Sequence, residues 1–228
     1  KTIGIGSKNI RKIDTDNNLS MNHEHLEKEI NNDIIKKNVP LAIISTFGTT
    51  GTVSFDPINK ISKIANKYKI WHHIDAAYAG SVLFLEEYQK HIKKIHLADS
   101  FVFNPHKWML TNFDCSLYYV KDKNKLIKTL EINPEYLKSS EKKINNYKDW
   151  NLQLGRRFRA LKLWFVIKSY GIEGIKTYLR NHLKLAEYLF KKIEKNKDFE
   201  ITCMKNINMI NFRLNPDRKS TRLNSSHQ

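Results

Sequence analysis

Apolar positions along the chain switch between a helical and an alternating or continuous spacing. In "NHEHLEKEINNDIIKK", Leu26, Ile30 and Ile34 recur at helical intervals. "LAIISTF" (41–47) is a short, β-branched apolar run followed by turn-rich "GTTGT", which predicts a buried strand. Asp56 followed by Pro57 predicts a helix start, with the aspartate as N-cap and the proline at the first helical position. Ile58, Ile61, Ala65 and Tyr68 carry that helix to about residue 69, and "IWHHID" (70–75) returns as a strand. Residues 41–75 therefore predict a β-α-β unit, and "ADSFVFN" and "SLYYV" predict two further strands of an α/β sheet. The second half reads differently. "GRRFRALKLWFVIKSYG" predicts a helix with Phe158, Leu161, Trp164 and Phe165 on one side and Gly171 placed as its C-terminal cap. Ile172, Ile175, Leu179, Leu183, Ala186 and Ile193 mark a second helix, and "FEITCM" and "NMINFRL" predict two strands opening a smaller unit.

Composition narrows the class. With 40% hydrophobic and 28% charged residues over 228 positions, the chain fits one large domain, or one domain and part of another. No apolar run is long enough for a membrane span, and "KTIGIGSKNIRKID" lacks the apolar core of a secretory signal. Two cysteines, Cys115 and Cys203, imply no disulfide framework and point to a reducing cytoplasm. The net charge of +17 raises nucleic-acid binding as a competing reading. The lysines, however, are dispersed among acids and asparagines, as in "KDKNKLIK" and "KKIEKNKD", which fits a solvated surface and an AT-rich genome better than a phosphate-tracking groove. After Pro216, "DRKSTRLNSSH" has no apolar period and resembles a translated sequencing-adapter read-through, so 217–228 is set aside as a non-native tail.

One lysine breaks an apolar run: Lys107 in "ADSFVFNPHKWML" (98–110). A lysine at the end of a buried strand is desolvated, which favours the neutral, nucleophilic amine. Such an amine forms a Schiff base with an aldehyde, the way pyridoxal phosphate is held. That cofactor also needs a carboxylate facing its ring nitrogen. Asp75 ends the strand "IWHHID", and in a parallel sheet neighbouring carboxyl ends converge on one crevice. The small residues of "DAAYAG" would let a flat ring lie against the backbone. Each residue alone has a plainer reading: a snorkelling lysine, a capping aspartate, and in "TFGTTGT" a turn with no Gly-Lys-Ser/Thr of a Walker loop. Their joint occurrence carries the weight.

"FGTTGTVSFDPI", "WHHIDAAYAGS", "ADSFVFNPHKWMLTNFDCSLYYV" and "LGRRFRALKLWFVIKSYG" together closely resemble the pyridoxal-phosphate-dependent aromatic L-amino-acid decarboxylases, a group II decarboxylase family. The resemblance runs nearly continuously over about residues 40–190, and "NPHKW" separates this branch from the glutamate decarboxylases. It implies an α/β fold of the PLP-dependent transferase type, fold type I. Residues 1–130 would be the later part of the large cofactor domain, 131–190 a lid loop and connecting helices, and 191–216 the start of a small α+β domain. By the same resemblance Lys107 carries the cofactor's Schiff base, Asp75 pairs with the pyridinium nitrogen, and Ala77 packs on one ring face. Thr50 contacts the cofactor, while Asn104 and His106 lie near its phosphate side. His73, two positions before Asp75 and so on the same strand face, is read either as orienting that carboxylate or as a satisfied core histidine.

Tyr136 in "NPEYLK" matches a loop tyrosine that returns a proton to the substrate carbon after carbon dioxide leaves. Relatives with phenylalanine there tend to make aldehydes, so Tyr136 favours the amine. The polar stretch 138–148 suits a lid, and Gly155 matches a small residue lining the substrate site that leans toward bulky aromatic substrates. The expected reaction is decarboxylation of tyrosine, dopa, tryptophan or phenylalanine, in a cytoplasmic homodimer with no nucleic-acid or membrane partner and no metal. Histidine decarboxylation, aldehyde formation, an inactive fragment and a basic nucleic-acid-binding scaffold are the alternatives. The family's N-terminal segment, which interlocks the dimer and lines the substrate pocket, its serine-containing phosphate-binding turn and its histidine stacked on the other ring face have no match in residues 1–40.

Overall fold

The computed structural model describes residues 4–131 and 147–215; Tyr136 and the tail at 217–228 lie outside the described residues. In chain order the elements are α1 (His23–Ile35), β1 (Ala42–Thr46), α2 (Ile58–Tyr68), β2 (Trp71–Asp75), a 3-10 stretch (Ala79–Phe84) and α3 (Glu86–Gln89). They continue with β3 (Ser100–Phe103), α4 (Pro105–Trp108), β4 (Leu117–Val120), α5 (Lys123–Leu130), α6 (Arg159–Lys195), β5 (Phe199–Ile201) and β6 (Phe212–Leu214). Strands β1 to β4 form one sheet in that spatial order; the first three are parallel and β4 runs antiparallel to β3. Strands β5 and β6 pair antiparallel in a separate two-stranded sheet. The β-α-β unit expected over 41–75 is present, and the architecture is the mostly parallel α/β sheet that the pattern implies.

Burial alternates along β1 and β2, so one face of these strands is turned to the core. Ile43, Ser45, His72, Ile74 and Phe103 point into the core. Ile61, Ile64 and Ala65 of α2 close over Ile43 together with Leu26 and Ile30 of α1. A second cluster joins Phe47, Ile58, Ile74, Trp108 and Met109 to Ile175 and Leu179 of α6. The opposite face carries Ile44, Trp71, His73, Asp75, Ser100, Val102 and Tyr118, placed side by side by the strand register. The run 41–47 is therefore not the fully buried strand its apolar continuity suggests: Leu41 and Ile44 are exposed.

Two further expectations are corrected. Pro57, not Asp56, stands at the N-cap of α2. The Asp56 carboxylate instead accepts the backbone N–H groups of Met21 and Thr46, both at 2.7 Å, tying the chain before α1 to the end of β1. Burial pushes its carboxyl up despite those two bonds. Gly171 does interrupt the long helix, with φ 63° and ψ 170°, a backbone that only glycine adopts easily. The apolar side before that break is exposed, however: Phe158, Leu161, Trp164 and Phe165 all face outward. The helix docks instead through its second half, where Ile175 and Leu179 are buried and Lys176 and Arg180 pair with Glu86 and Glu87 of α3.

A buried histidine stabilises the centre of the β-α-β unit. His72 is fully enclosed, with Ser45 Oγ at 2.7 Å from Nε2 and Ser62 Oγ at 3.2 Å from Nδ1. Both ring nitrogens are satisfied in the neutral imidazole, and desolvation pulls its pKa from 6.5 to about 4. The folded form thus resists a proton that the unfolded chain accepts. Stability from His72 is complete above pH 6.5 and declines as pH falls from 6.5 to about 4. The decline amounts to about 3 kcal/mol. Denaturant titrations across this range should show a one-proton slope that disappears in His72→Asn. A second expectation concerns close packing: a Cβ added at Gly80 would lie 2.3 Å from Phe103 Cβ. Gly80→Ala should therefore cost about 1–3 kcal/mol, read as a lower thermal midpoint.

Candidate functional site

Parallel pairing of β1, β2 and β3 brings their carboxyl ends to one edge of the sheet, where three connecting segments meet. Asp75 lies opposite Thr46 on one side and Val102 on the other. The three segments approach closely because they carry small residues where they touch. Gly48, at φ +95°, leaves no room for a Cβ, which would fall 2.5 Å from Ala79 Cβ. Ala76 and Ala79 are fully buried. Most of the small residues of "DAAYAG" are thus used in packing strand ends together, and Ala77 is the half-exposed one on the open side.

Asp75 is half-buried, and its Oδ1 accepts the backbone N–H of Ala77 at 3.0 Å. Among the described residues the other carboxylate oxygen has no protein donor. The backbone of Ala77 turns in the opposite direction as well, its carbonyl accepting the N–H of Asn104 at 3.0 Å. One residue therefore links the Asp75 carboxylate to the segment that carries Lys107. His73 shares the Asp75 face, yet its Nδ1 pairs with Ser100 Oγ at 2.8 Å. Ser100 also accepts the Trp71 indole N–H at 3.0 Å, which leaves its own proton for His73. The contact that orients the carboxylate comes from Ala77 rather than His73. Burial lowers the His73 pKa, opposed by the nearby Asp75 charge.

Lys107 is not the buried lysine that the apolar run suggests. It sits in the one-turn helix α4, begun by Pro105 at its first position, and is exposed while Trp108 and Met109 take the buried positions. The turn after β3 rotates the lysine out of the strand's in-out alternation and onto the open edge. Among the described residues its amine has no ion-pair or hydrogen-bond partner. Its backbone N–H is anchored on the Asn104 carbonyl at 2.9 Å, and Asn104 Oδ1 accepts from Ser116 Oγ at 2.6 Å. His106 is engaged with the following loop: its Nδ1 lies 2.9 Å from the Cys115 nitrogen and 2.6 Å from the Cys115 oxygen, and its ring packs edge-on to Phe113. It acts as a splint for 106–115.

Thr50 is exposed at the tip of the loop after β1, on the same sheet edge. The loop is held by its own hydroxyls, Thr49 to Thr52 at 3.0 Å and Thr52 to Ser54 at 2.7 Å. Gly155 is not brought into contact with these groups; a Cβ there would meet nothing within 4 Å. Sequence reasoning passed over Asp114 and Arg159, though both lie within the quoted motifs. Arg159 donates through Nε and Nη2 to Asp114 Oδ2, at 3.0 and 2.8 Å, and with Lys162 nearby holds that carboxyl down to about 2. This ion pair ties the start of α6 to the loop that His106 splints. Opposite charges in two segments of equal motif strength were the available signal.

These groups suit pyridoxal phosphate. A carboxylate oxygen left for a ring N–H, an accessible amine for an aldehyde and a small residue between them form the donor set that this cofactor's chemistry requires. Among the described residues, no group of three or more potential metal ligands occurs, and no helix is long and apolar enough to cross a membrane.

Known proteins resemble the chain over almost all of its length. A family model for the pyridoxal-dependent decarboxylase conserved domain matches residues 2–215. Phenylacetaldehyde synthase of Arabidopsis thaliana is 43% identical over 218 residues, and tyrosine decarboxylase 2 of Narcissus pseudonarcissus 41% over 218, each match covering 93% of this chain. The chain spans 44% of the length of each of these relatives. A crystal structure of Oryza sativa TDC with PLP and tryptamine superposes with a TM-score of 0.91 at 32% identity, over 94% of this chain and 45% of that one. The fold, the strand-end constellation and these likenesses agree: the chain belongs to the pyridoxal-dependent decarboxylase family.

Proposed function

We propose that this chain is the lysine-bearing portion of a pyridoxal-phosphate enzyme that converts an aromatic L-amino acid to its amine and carbon dioxide. The observation that carries the reading is that Ala77 bonds both the Asp75 carboxylate and the backbone N–H of Asn104, so the chain ending β2 is tied to the segment that carries Lys107. When bound, the cofactor supplies a protonated pyridine ring that accepts the electron pair released as carbon dioxide departs. Lys107 would hold the cofactor covalently through its amine, and its exposure at the strand end leaves that amine open to an aldehyde. Asp75 would keep the proton on the ring nitrogen, since an ionised carboxylate beside it favours the charged form. Ala77 would back one ring face, Thr50 would touch the cofactor from the β1 loop, and Asn104 and His106 would shape the phosphate side. Tyr136 would return the proton to the substrate carbon, and Gly155 would leave room for a bulky ring.

The substrate class is supported by likeness to tyrosine decarboxylase and to TDC with tryptamine. A second reading, aldehyde formation, is favoured by the 43% identity to a phenylacetaldehyde synthase. Tyr136 is what inclines the proposal to the amine. The reading extends to a homodimer, supported by the outward apolar side of α6 at Phe158, Trp164 and Phe165. It also extends to the cytoplasm, supported by the free thiols of Cys115 and Cys203. The domain division at 130 and 190 is retained as part of the proposal, with α6 bridging the second boundary.

Adding pyridoxal phosphate should produce a visible Schiff-base absorbance band, and Lys107→Ala should abolish it. A band that persists in Lys107→Ala would overturn the assignment. In chain that turns over substrate, Tyr136→Phe should lower amine release by about 100-fold or more. Aldehyde should rise in its place, read by product analysis with tyrosine, tryptophan, phenylalanine, dopa and histidine. Aldehyde from the unmodified chain would favour the second reading.

A further inference from the structure

A one-turn helix cannot fix the direction of its own side chains. Helix α4 has four residues, begins with a proline that lacks an N–H and has no side-chain cap, so its orientation depends on what its neighbours hold. The neighbour of Lys107 is Trp108, which is only 4% exposed. On one side its ring stacks on Tyr78, with centroids 5.3 Å apart and planes 8° from parallel. Its indole N–H donates to Nδ1 of His182 on α6 at 3.0 Å. His182 packs in turn against Tyr178 at 4.2 Å, and the Tyr78 hydroxyl donates to Asn208 Oδ1 at 2.9 Å.

The connectivity gives this cluster meaning. Tyr78 directly follows Ala77, the residue that joins Asp75 to Asn104, and Trp108 directly follows Lys107. The stacked pair is therefore a second link between the carboxylate and lysine segments. Stacking alone allows rings to slide and rotate in their own plane. A hydrogen bond from the indole edge removes that freedom. Indole N–H can only donate, so the bond exists only while His182 Nδ1 is unprotonated and free to accept.

We infer that His182 is a positioning residue: by accepting the Trp108 indole N–H it fixes the rotation of α4 and thereby aims Lys107 at the Asp75 end of the sheet. His182 touches neither Lys107 nor Asp75 and acts only through Trp108. The inference rests on the reading of Lys107 as the cofactor lysine, and its consequences reach the second half of α6 and the Asn208 loop, which follow the motif segments in the chain.

The test uses the full chain with limiting pyridoxal phosphate, borohydride reduction and mass spectrometry of the peptide containing Lys107. His182→Leu should reduce trapping at Lys107 about five-fold, the worth of one hydrogen bond. Trp108→Phe, which keeps a stacking ring without the donor, should do the same, and the double variant should be no worse than either single one. His182→Asn, which retains an acceptor oxygen close to the Nδ1 position, should recover most of the loss. Circular dichroism checks that each variant folds; if His182→Leu does not, Trp108→Phe and its combination with His182→Asn decide the question. Trapping in Trp108→Phe equal to the unmodified chain, additive losses in the double variant, or failure of His182→Asn to rescue would overturn the inference. If the unmodified chain traps no cofactor at Lys107, the cofactor reading fails instead. The brace is then read from hydrogen exchange of the Trp108 indole N–H by NMR. Slow exchange that becomes fast in His182→Leu upholds the brace, and equal exchange in both overturns it.

Discussion

Everything at this site depends on the parallel register of β1, β2 and β3. Parallel pairing sends three carboxyl ends to one edge, and the crossover α2 covers the face beneath them. The register places Asp75 between Thr46 and Val102, so the residues following each strand emerge beside one another. Slipping β2 by one residue against β1 would turn Asp75 into the core and Ile74 out of it. The buried His72, satisfied by serines on β1 and α2, resists such a slip because its two bonds exist in only one alignment. A polar contact inside the unit thus stabilises the geometry that chemistry outside it requires.

Proximity at the strand ends is a packing result before it is an electrostatic one. Gly48 against Ala79 and Gly80 against Phe103 bring backbones closer than any larger residue would allow. Ala77 then has both of its backbone polar groups committed, one to Asp75 and one to Asn104. Around this centre lie two stays of different character. The Arg159–Asp114 ion pair holds the loop beyond α4, and the Tyr78–Trp108 stack with His182 holds α4 itself. Both reach the site from α6, so the long helix supports the lysine turn as well as burying Ile175 and Leu179 in one cluster with Ile58 and Ile74 of the β-α-β unit. Lysine elsewhere is dispersed along the sequence among acids and asparagines, as solvated surface charge is.

The sequence by itself determined the parts that depend on local pattern. Period and breakers located the β-α-β unit, the strands around Phe101 and Tyr119, and the interruption at Gly171, because side-chain alternation and glycine's conformational freedom are properties of short segments. Motif likeness singled out Asp75 and Lys107. Tertiary structure decided what those segments face. It exposed Lys107, since a one-turn helix after β3 resets the in-out alternation that an apolar run implies. It gave the cap of α2 to Pro57 and used Asp56 to join Met21 to Thr46, contacts across 35 and 10 residues that no local spacing encodes. It turned His73 to Ser100 and the apolar side of α6 to the exterior, and it made His182 the partner of Trp108 across 74 residues. The division follows from range: conformational preference is written in neighbours along the chain, whereas hydrogen-bond partners and burial are settled only when distant segments meet.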